Sequence, residues 1–149
     1  MVGDVIEISL LYTKIKTVRN ELVAIPNQIL LQRQIVNYSG LDILGITIEV
    51  STVYDNNRNK VESLLVEAAK NTDGILTDNP APFVLLTEFE NYGAVYEIRA
   101  YTNRPNDYLR IQSEIRKKVY DLFQTHALNL TIPQAQINVD NEKREEKED

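Results

Sequence analysis

The chain has no cysteine among its 149 residues, no tryptophan, one histidine and one methionine. Without cysteine there is no disulfide, no thiolate metal site and no thiol nucleophile. That composition suits a reducing compartment. His126 is the single histidine, so the usual His-rich metal site cannot be assembled. The five glycines form no G-x-G-x-x-G and no Walker loop, so nothing cradles a nucleotide phosphate. A G-x-S-x-G nucleophile elbow is missing too. No stretch approaches the roughly 18–20 apolar residues that a membrane helix needs. Ile43–Val50, among the most apolar, is interrupted by Gly45, Thr47 and Glu49. The first residues lack the charged and apolar regions of a signal peptide. The glycosylation patterns at Asn37-Tyr38-Ser39 and Asn129-Leu130-Thr131 therefore read as chance. Cationic excess is absent as well. The formal net charge is −6 and the pI about 4.9, which argues against sequence-independent nucleic-acid binding.

What is present is alternation. In 5–27, VIEISLLYTKIKTVRNELVAIPN, residues Ile6, Ile8 and Leu10 alternate with Glu7 and Ser9, the period of a half-buried strand. Thr13–Val18 alternates again, with Ile15 between Lys14 and Lys16. Arg19-Asn20-Glu21 suits a turn, and Leu22–Ile25 is apolar until Pro26 stops it. Residues 28–34 read as a short helical turn or linker, and Gly40 as a boundary.

A second unit follows. Leu44, Ile46, Ile48 and Val50 predict a strand. Asp55-Asn56-Asn57 supplies helix-start residues, and Val61, Leu64, Leu65 and Ala68 recur at helical spacing. Pro80 and Pro82 lead into an expected strand over Phe83–Glu90. Asn91-Tyr92-Gly93 is turn material, and Ala94, Tyr96, Ile98 and Ala100 mark the hairpin partner. Pro105 fits the first turn of a second helix with a stripe of Tyr108, Ile111, Ile115, Val119 and Leu122. Leu130–Val139 closes as an extended segment containing Pro133. The order is β-α-β-β-α-β, the ferredoxin-like arrangement. Residues 140–149 carry six acids against three bases without apolar anchors and read as a disordered tail.

The N-terminal strands carry a family resemblance. Gly3, Val5, Ile8 and Leu10, then Thr13, Ile15 and Thr17, then Val23, Ile25, Pro26 and Asn27 resemble the β-domain of MscS-type small-conductance mechanosensitive channels. The Pro80/Pro82 pair and Ile132-Pro133-x-x-Gln136 continue the likeness. Gln134 and Ala135 depart from that family's I-P-F-P-Q pattern. The resemblance covers roughly residues 3–139. It implies an α+β chain: a partial Sm-like β-domain over 1–39, a ferredoxin-like α/β domain over 40–139, and the tail over 140–149. Earlier strands of such a β-domain would precede Gly3, so residue 1 reads as the start of a shortened piece.

Chemistry is weighed against simpler roles. Asp55, Asn57 and Asn59 copy three ligand positions of a calcium loop, but Lys60 stands where glycine is needed and Val66 where the bidentate glutamate should be. Helix capping is the expected role. His126, near a helix end, is read as capping or exposed. Glu88 and Glu90 share a strand face and are read as solvated rather than as an acid–base pair. The eight tyrosines are read as packing rather than base stacking, with Tyr96 and Tyr108 on apolar faces. No catalytic, cofactor-binding or metal residue is expected.

The apolar β-surface of Val5–Ile25 stands out, because a β-segment of this size cannot complete a core alone. The resemblance implies a non-enzymatic, homo-oligomeric role, typically as a heptamer. The chain would form a cytosolic vestibule beneath transmembrane pore helices that it does not itself contain. It would serve assembly, pore support and solute filtering in osmotic response. The full-length protein would sit in the cell membrane, with this region on the cytoplasmic side and soluble by itself. Ile6, Ile8, Ile25, Pro26, Asn27 and Pro133 are the expected assembly residues. The partners are further copies and the pore helices, with no nucleic acid and no cofactor. The alternatives are a stand-alone ferredoxin-like ligand-binding or regulatory module and, less favoured, an Sm-like RNA-binding ring.

Overall fold

The computed structural model describes residues 1–131. The chain is α+β and divides into two compact units, Met1–Asn37 and Tyr38 onward.

The first unit is an antiparallel meander of β1 (Gly3–Ile8), β2 (Tyr12–Thr17) and β3 (Leu22–Pro26), followed by the single turn α1 (Asn27–Leu30). The β2–β3 turn closes where the Thr17 N–H donates to Glu21 O at 2.9 Å. Asn20 supplies a left-handed residue there, φ 64°, a conformation its short polar side chain tolerates. Pro26 is the last strand residue and stands opposite Tyr12 on the edge strand, where a missing N–H costs little.

The phase of β1 differs from the sequence expectation. Val5 stands opposite Ile15, Glu7 opposite Lys14 and Ile8 opposite Thr13, which leaves Ile6 as the extra residue of a β-bulge. Ile6 and Ile8 therefore do not share a face by simple alternation; Val5 and Ile8 do. Leu10 lies outside the strand, in the β1–β2 turn. The bulge has a clear effect. Without it, Glu7 would stand on the apolar face beside Val5; with it, Glu7 meets Lys14.

The second unit runs β4 (Leu44–Val53), α2 (Arg58–Lys70), β5 (Phe83–Glu90), β6 (Gly93–Thr102), a 3₁₀ turn (Pro105–Asp107) and α3 (Tyr108–Thr125). The sheet order is β4-β6-β5, all neighbours antiparallel. Alternate residues of β4 (Ile46, Ile48, Val50) and β6 (Ala94, Tyr96, Ile98, Ala100) are buried with α2 and α3 in one core. Helix α2 contributes Val61, Leu64, Leu65 and Ala68, as its spacing predicts. Helix α3 contributes Ile111, Ile115, Val119 and Phe123. Phe123, not Leu122, is its last fully buried residue; Leu122 packs at the core margin. Pro105 starts the 3₁₀ turn ahead of α3 rather than the helix itself.

The C-terminal end of each helix receives a lysine from the other helix. The Lys118 ammonium of α3 donates to the Asn71 carbonyl at the end of α2. Lys60 Nζ, in the first turn of α2, lies 3.4 Å from His126 O at the end of α3. A cation at a helix C-terminus complements the orphan carbonyls and the dipole. Asn57 caps α2 by accepting the Lys60 N–H at 3.1 Å.

Of the expected last strand, only the start is described. Leu130 bridges Thr52 antiparallel, and the Thr131 N–H donates to Ser51 O at 3.1 Å. This lies on the edge of β4 away from β6, the position a fourth ferredoxin-like strand takes. The rest of that segment, with Pro133, and the charged tail lie outside the described residues. No helix among the described residues is long and apolar enough to cross a membrane.

Candidate functional site

The register of the first unit sorts its side chains into two faces. Gly3, Val5, Ile8, Thr13, Ile15, Thr17, Val23 and Ile25 stand in register on one. Asp4, Glu7, Tyr12, Lys14, Lys16, Leu22, Ala24 and Pro26 stand on the other. The second face carries its charges in opposed pairs, because Asp4 is opposite Lys16 and Glu7 opposite Lys14. Lys14 Nζ reaches Glu7 Oε2 at 2.6 Å and sits 5.6 Å from the centre of the Tyr12 ring. The hydrogen bond it donates to Glu7, and then the charge of that carboxylate, hold the Lys14 amine above its ordinary pKa.

The first face is apolar, and its β1 side is exposed. Ile8 is 75% exposed and Val5 57%, while Ile15, Val23 and Ile25 are half-buried. Thr13 alone in this unit is buried. A sheet of this size needs a covered apolar face to be stable in water, and large apolar patches left open mark interaction surfaces.

One end of the sheet is fastened by Asn27. Its Nδ2 donates to Ser9 O at 2.8 Å and to Leu10 O at 3.1 Å. Its Oδ1 accepts from Thr13 Oγ1 at 2.8 Å, and its N–H donates to Leu11 O at 2.9 Å. One side chain thus ties the end of β3 to the β1–β2 turn. Ser9 braces the same turn, its N–H and Oγ both donating to Tyr12 O, at 2.9 and 2.8 Å. The tip residues Leu10 and Leu11 are held in place while 92% and 74% exposed.

Of the residues expected to matter, Ile8 and Ile25 share the apolar face. Ile6 is the bulge residue and is 58% exposed. Pro26 belongs to the charged face. Asn27 is an internal fastener, and Pro133 lies outside the described residues. Val5, Ile15 and Val23 complete the apolar face. Their common face was hidden by the bulge, although the β-branched pair Val5-Ile6 was a visible sign that simple alternation fails there.

The chemical candidates have structural occupations. Asn57 is a helix cap. His126 Nδ1 lies 2.9 Å from Leu122 O of its own helix. Glu88 and Glu90 are exposed on β5. Tyr96 is buried in the core, and Tyr108 stacks on Tyr38. Among the described residues no group of three or more His, Cys, Asp or Glu is placed to hold a metal.

An amphipathic three-stranded unit followed by a β-α-β-β-α unit is the architecture of the MscS cytoplasmic region. The crystal structure of Helicobacter pylori MscS in its closed state superimposes with a TM-score of 0.74 at 15% identity, covering 87% of this chain and 51% of that one. Arabidopsis thaliana MSL1 gives 0.62 at 20% identity, covering 87% and 48%. At these identities the likeness speaks for the fold. The family model for the C-terminal region of the mechanosensitive ion channel MscS matches residues 46–130, and that for the mechanosensitive ion channel beta-domain matches residues 1–40. The chain belongs to the MscS mechanosensitive channel family. It is 23% identical over 141 residues to the miniconductance mechanosensitive channel MscM of Escherichia coli K12, covering 94% of this chain and 13% of that protein. It is 25% identical over 146 residues to an MscS family protein of Aquifex aeolicus, covering 93% and 39%. The chain thus spans less than half the length of these relatives. The family is one of channels, not enzymes.

Proposed function

We propose that this chain serves as the cytosolic vestibule portion of an MscS-like mechanosensitive channel. Copies associate through the first unit, support the pore helices of the full-length protein and screen solutes on the cytoplasmic side of the membrane. The observation that supports this best is the apolar face of Val5, Ile8, Ile15, Val23 and Ile25, exposed at Val5 and Ile8 and half-buried at the other three, opposite a face on which Glu7 is ion-paired with Lys14. Apolar surface left open on a small sheet is worth about 25 cal/mol per Å² once a partner covers it. A neighbouring copy presents the same strands and covers that face without any further component. The resemblance to MscS-type channels favours a closed heptameric ring.

Light scattering on a sizing column over a concentration series tests this. A discrete heptamer is the expected result. A strict monomer at every concentration overturns the assembly role for this part of the protein.

A further inference from the structure

The chain leaves α2 through a turn of Thr72, Asp73, Gly74 and Ile75, closed where the Ile75 N–H donates to Thr72 O at 3.2 Å. Both outer residues are anchored. Thr72 is buried, with its hydroxyl on Ala68 O at 2.8 Å, and Ile75 belongs to the core. Gly74 has φ 94°, a region that glycine enters without steric cost. A Cβ built on it would lie 2.8 Å from Cδ1 of the buried Ile111. Among the described residues the Gly74 N–H has no hydrogen-bond partner. The Asp73 side chain just before it is 74% exposed. Arg104 Nη1 donates to its Oδ2 at 3.2 Å, and Arg110 Nη2 lies 3.9 Å from the same oxygen. The sequence holds no second Asp-Gly step and no Asn-Gly.

We infer that Asp73-Gly74 is a modification site, where the chain converts to an isoaspartyl linkage at a rate that Arg104 restrains. The Gly74 nitrogen attacks Cγ of the Asp73 carboxyl group. The new C–N bond closes a five-membered succinimide, and the Gly74 N–H proton leaves with the carboxyl OH as one water. A second water then opens the ring. Opening at one carbonyl restores aspartate; opening at the other leaves the backbone running through Cγ, with the former α-carbonyl as a free carboxylate. No other reagent is consumed. Glycine is the residue that shields this nitrogen least, because it has no Cβ. The pair with Arg104 opposes the step, since the carboxyl must leave the guanidinium to meet the Gly74 nitrogen. An exposed ion pair of this kind lowers the reactive arrangement by roughly 1.4- to five-fold. The product has one more backbone atom in a turn whose two ends are fixed, at Thr72 and at the core residue Ile75. Conversion therefore loosens the second unit.

The test ages the full chain for weeks at physiological temperature and mildly acidic pH, then digests it with trypsin. The peptide 71–99, between Lys70 and Arg99, carries both Asp73 and Asp78. Chromatography resolves the isoaspartyl form, whose mass is unchanged, and fragmentation locates it. Isoaspartate is expected at 73 and not at 78, where Asn79 follows in place of glycine. Arg104→Gln is expected to convert roughly 1.4- to five-fold faster than the unsubstituted chain. Arg104→Lys, which keeps a cation beside Asp73, should fall between the two. The converted chain, once separated, should unfold at a lower denaturant concentration than the unconverted one. Aspartate retained at 73 while the urea-unfolded chain converts overturns the site, because the folded turn then forbids the attack. Equal conversion at 78 overturns it too, since any exposed aspartate would then do. Equal rates in Arg104→Gln and the unsubstituted chain overturn the restraint, as does an Arg104→Lys chain that converts as fast as Arg104→Gln.

Discussion

The side chain of Asn56 closes on both backbone groups of Asn129: its Nδ2 donates to Asn129 O at 2.7 Å, and its Oδ1 lies 3.3 Å from the Asn129 N–H. The two residues are 73 apart in sequence. Asn129 follows α3 and immediately precedes Leu130, which bridges Thr52, so this amide guides the chain onto the open edge of β4. Asn56→Ala should lower the stability of the second unit by about 0.5–1.5 kcal/mol, the usual net worth of such contacts. Asn56→Asp should cost more, because it replaces the donor with a carboxylate oxygen against the Asn129 carbonyl. Denaturant unfolding at neutral pH gives both values. Equal midpoints for Asn56→Ala and the unsubstituted chain would refute the role.

Asn27 acts similarly in the first unit, with higher demand on one side chain. Two carbonyls and one hydroxyl depend on it. Asn27→Asp keeps the acceptor for Thr13 Oγ1 but loses both donations to Ser9 and Leu10, so it isolates the turn-fastening half. Thr13→Val removes the other half. Each is expected to destabilise by about 1–3 kcal/mol where the groups are partly buried. The pair in one chain should cost less than the sum, because they share a partner. Amide exchange at Ser9 and Asn27, whose N–H groups bond to Tyr12 O and Leu11 O, should quicken first in Asn27→Asp, since the turn is what it releases. Strict additivity would show that the two halves act independently.

The second unit was legible in the sequence because β4 and the two helices keep one period from end to end, although β5 shifts register between Leu86 and Glu88. β4 alternates without fault, so Ile46, Ile48 and Val50 are buried as written. Helix α2 keeps Val61, Leu64, Leu65 and Ala68 on its buried face. In α3 the expected Leu122 packs at the core margin, and the fully buried Phe123 beside it was left out, because neighbouring residues on a helix both border the stripe. The first unit was misread at β1 because its bulge is marked only by the adjacent β-branched pair Val5-Ile6, and one inserted residue reverses every later side chain on that strand. Contacts such as Asn56 with Asn129 and Tyr38 with Tyr108 join distant positions through single side chains. No periodicity carries them, and they became visible only in three dimensions.

Glu114 is held below its ordinary pKa, first by the hydrogen bond from Lys117 and then by that ammonium's charge. The contact is 2.9 Å, one turn along α3. A depressed carboxylate pKa means that the folded state binds its proton less readily than the unfolded chain. Its stabilising contribution is therefore present above the unfolded value of 4.5 and is lost as pH falls through the folded value. The Glu114 side-chain carboxyl should titrate below 4.5 by NMR, and Lys117→Met should return it toward that value. Added salt should narrow the difference, since the pair is exposed. An identical midpoint in Lys117→Met would assign the shift elsewhere, to Arg110 or Lys118.

The bulge at Ile6 gives the assembly reading its sharpest test, because it separates two neighbouring isoleucines that alternation would treat alike. Ile8 stands on the apolar face with Val5, Ile15, Val23 and Ile25, whereas Ile6 is the inserted residue without a cross-strand partner. A carboxylate buried at an apolar interface loses its hydration without gaining a partner. Ile8→Asp and Val5→Asp are therefore expected to shift the chain to smaller species in sedimentation velocity at a fixed concentration. Ile6→Asp should shift it less. Lys16→Glu, on the charged face opposite Asp4, should leave the distribution in place. If Ile6→Asp dissociates the assembly as completely as Ile8→Asp, the contact surface follows the strand edge or the turn rather than the apolar face. If Lys16→Glu alone dissociates it, the charged face is the one that meets the neighbour, and the apolar residues are covered in some other way.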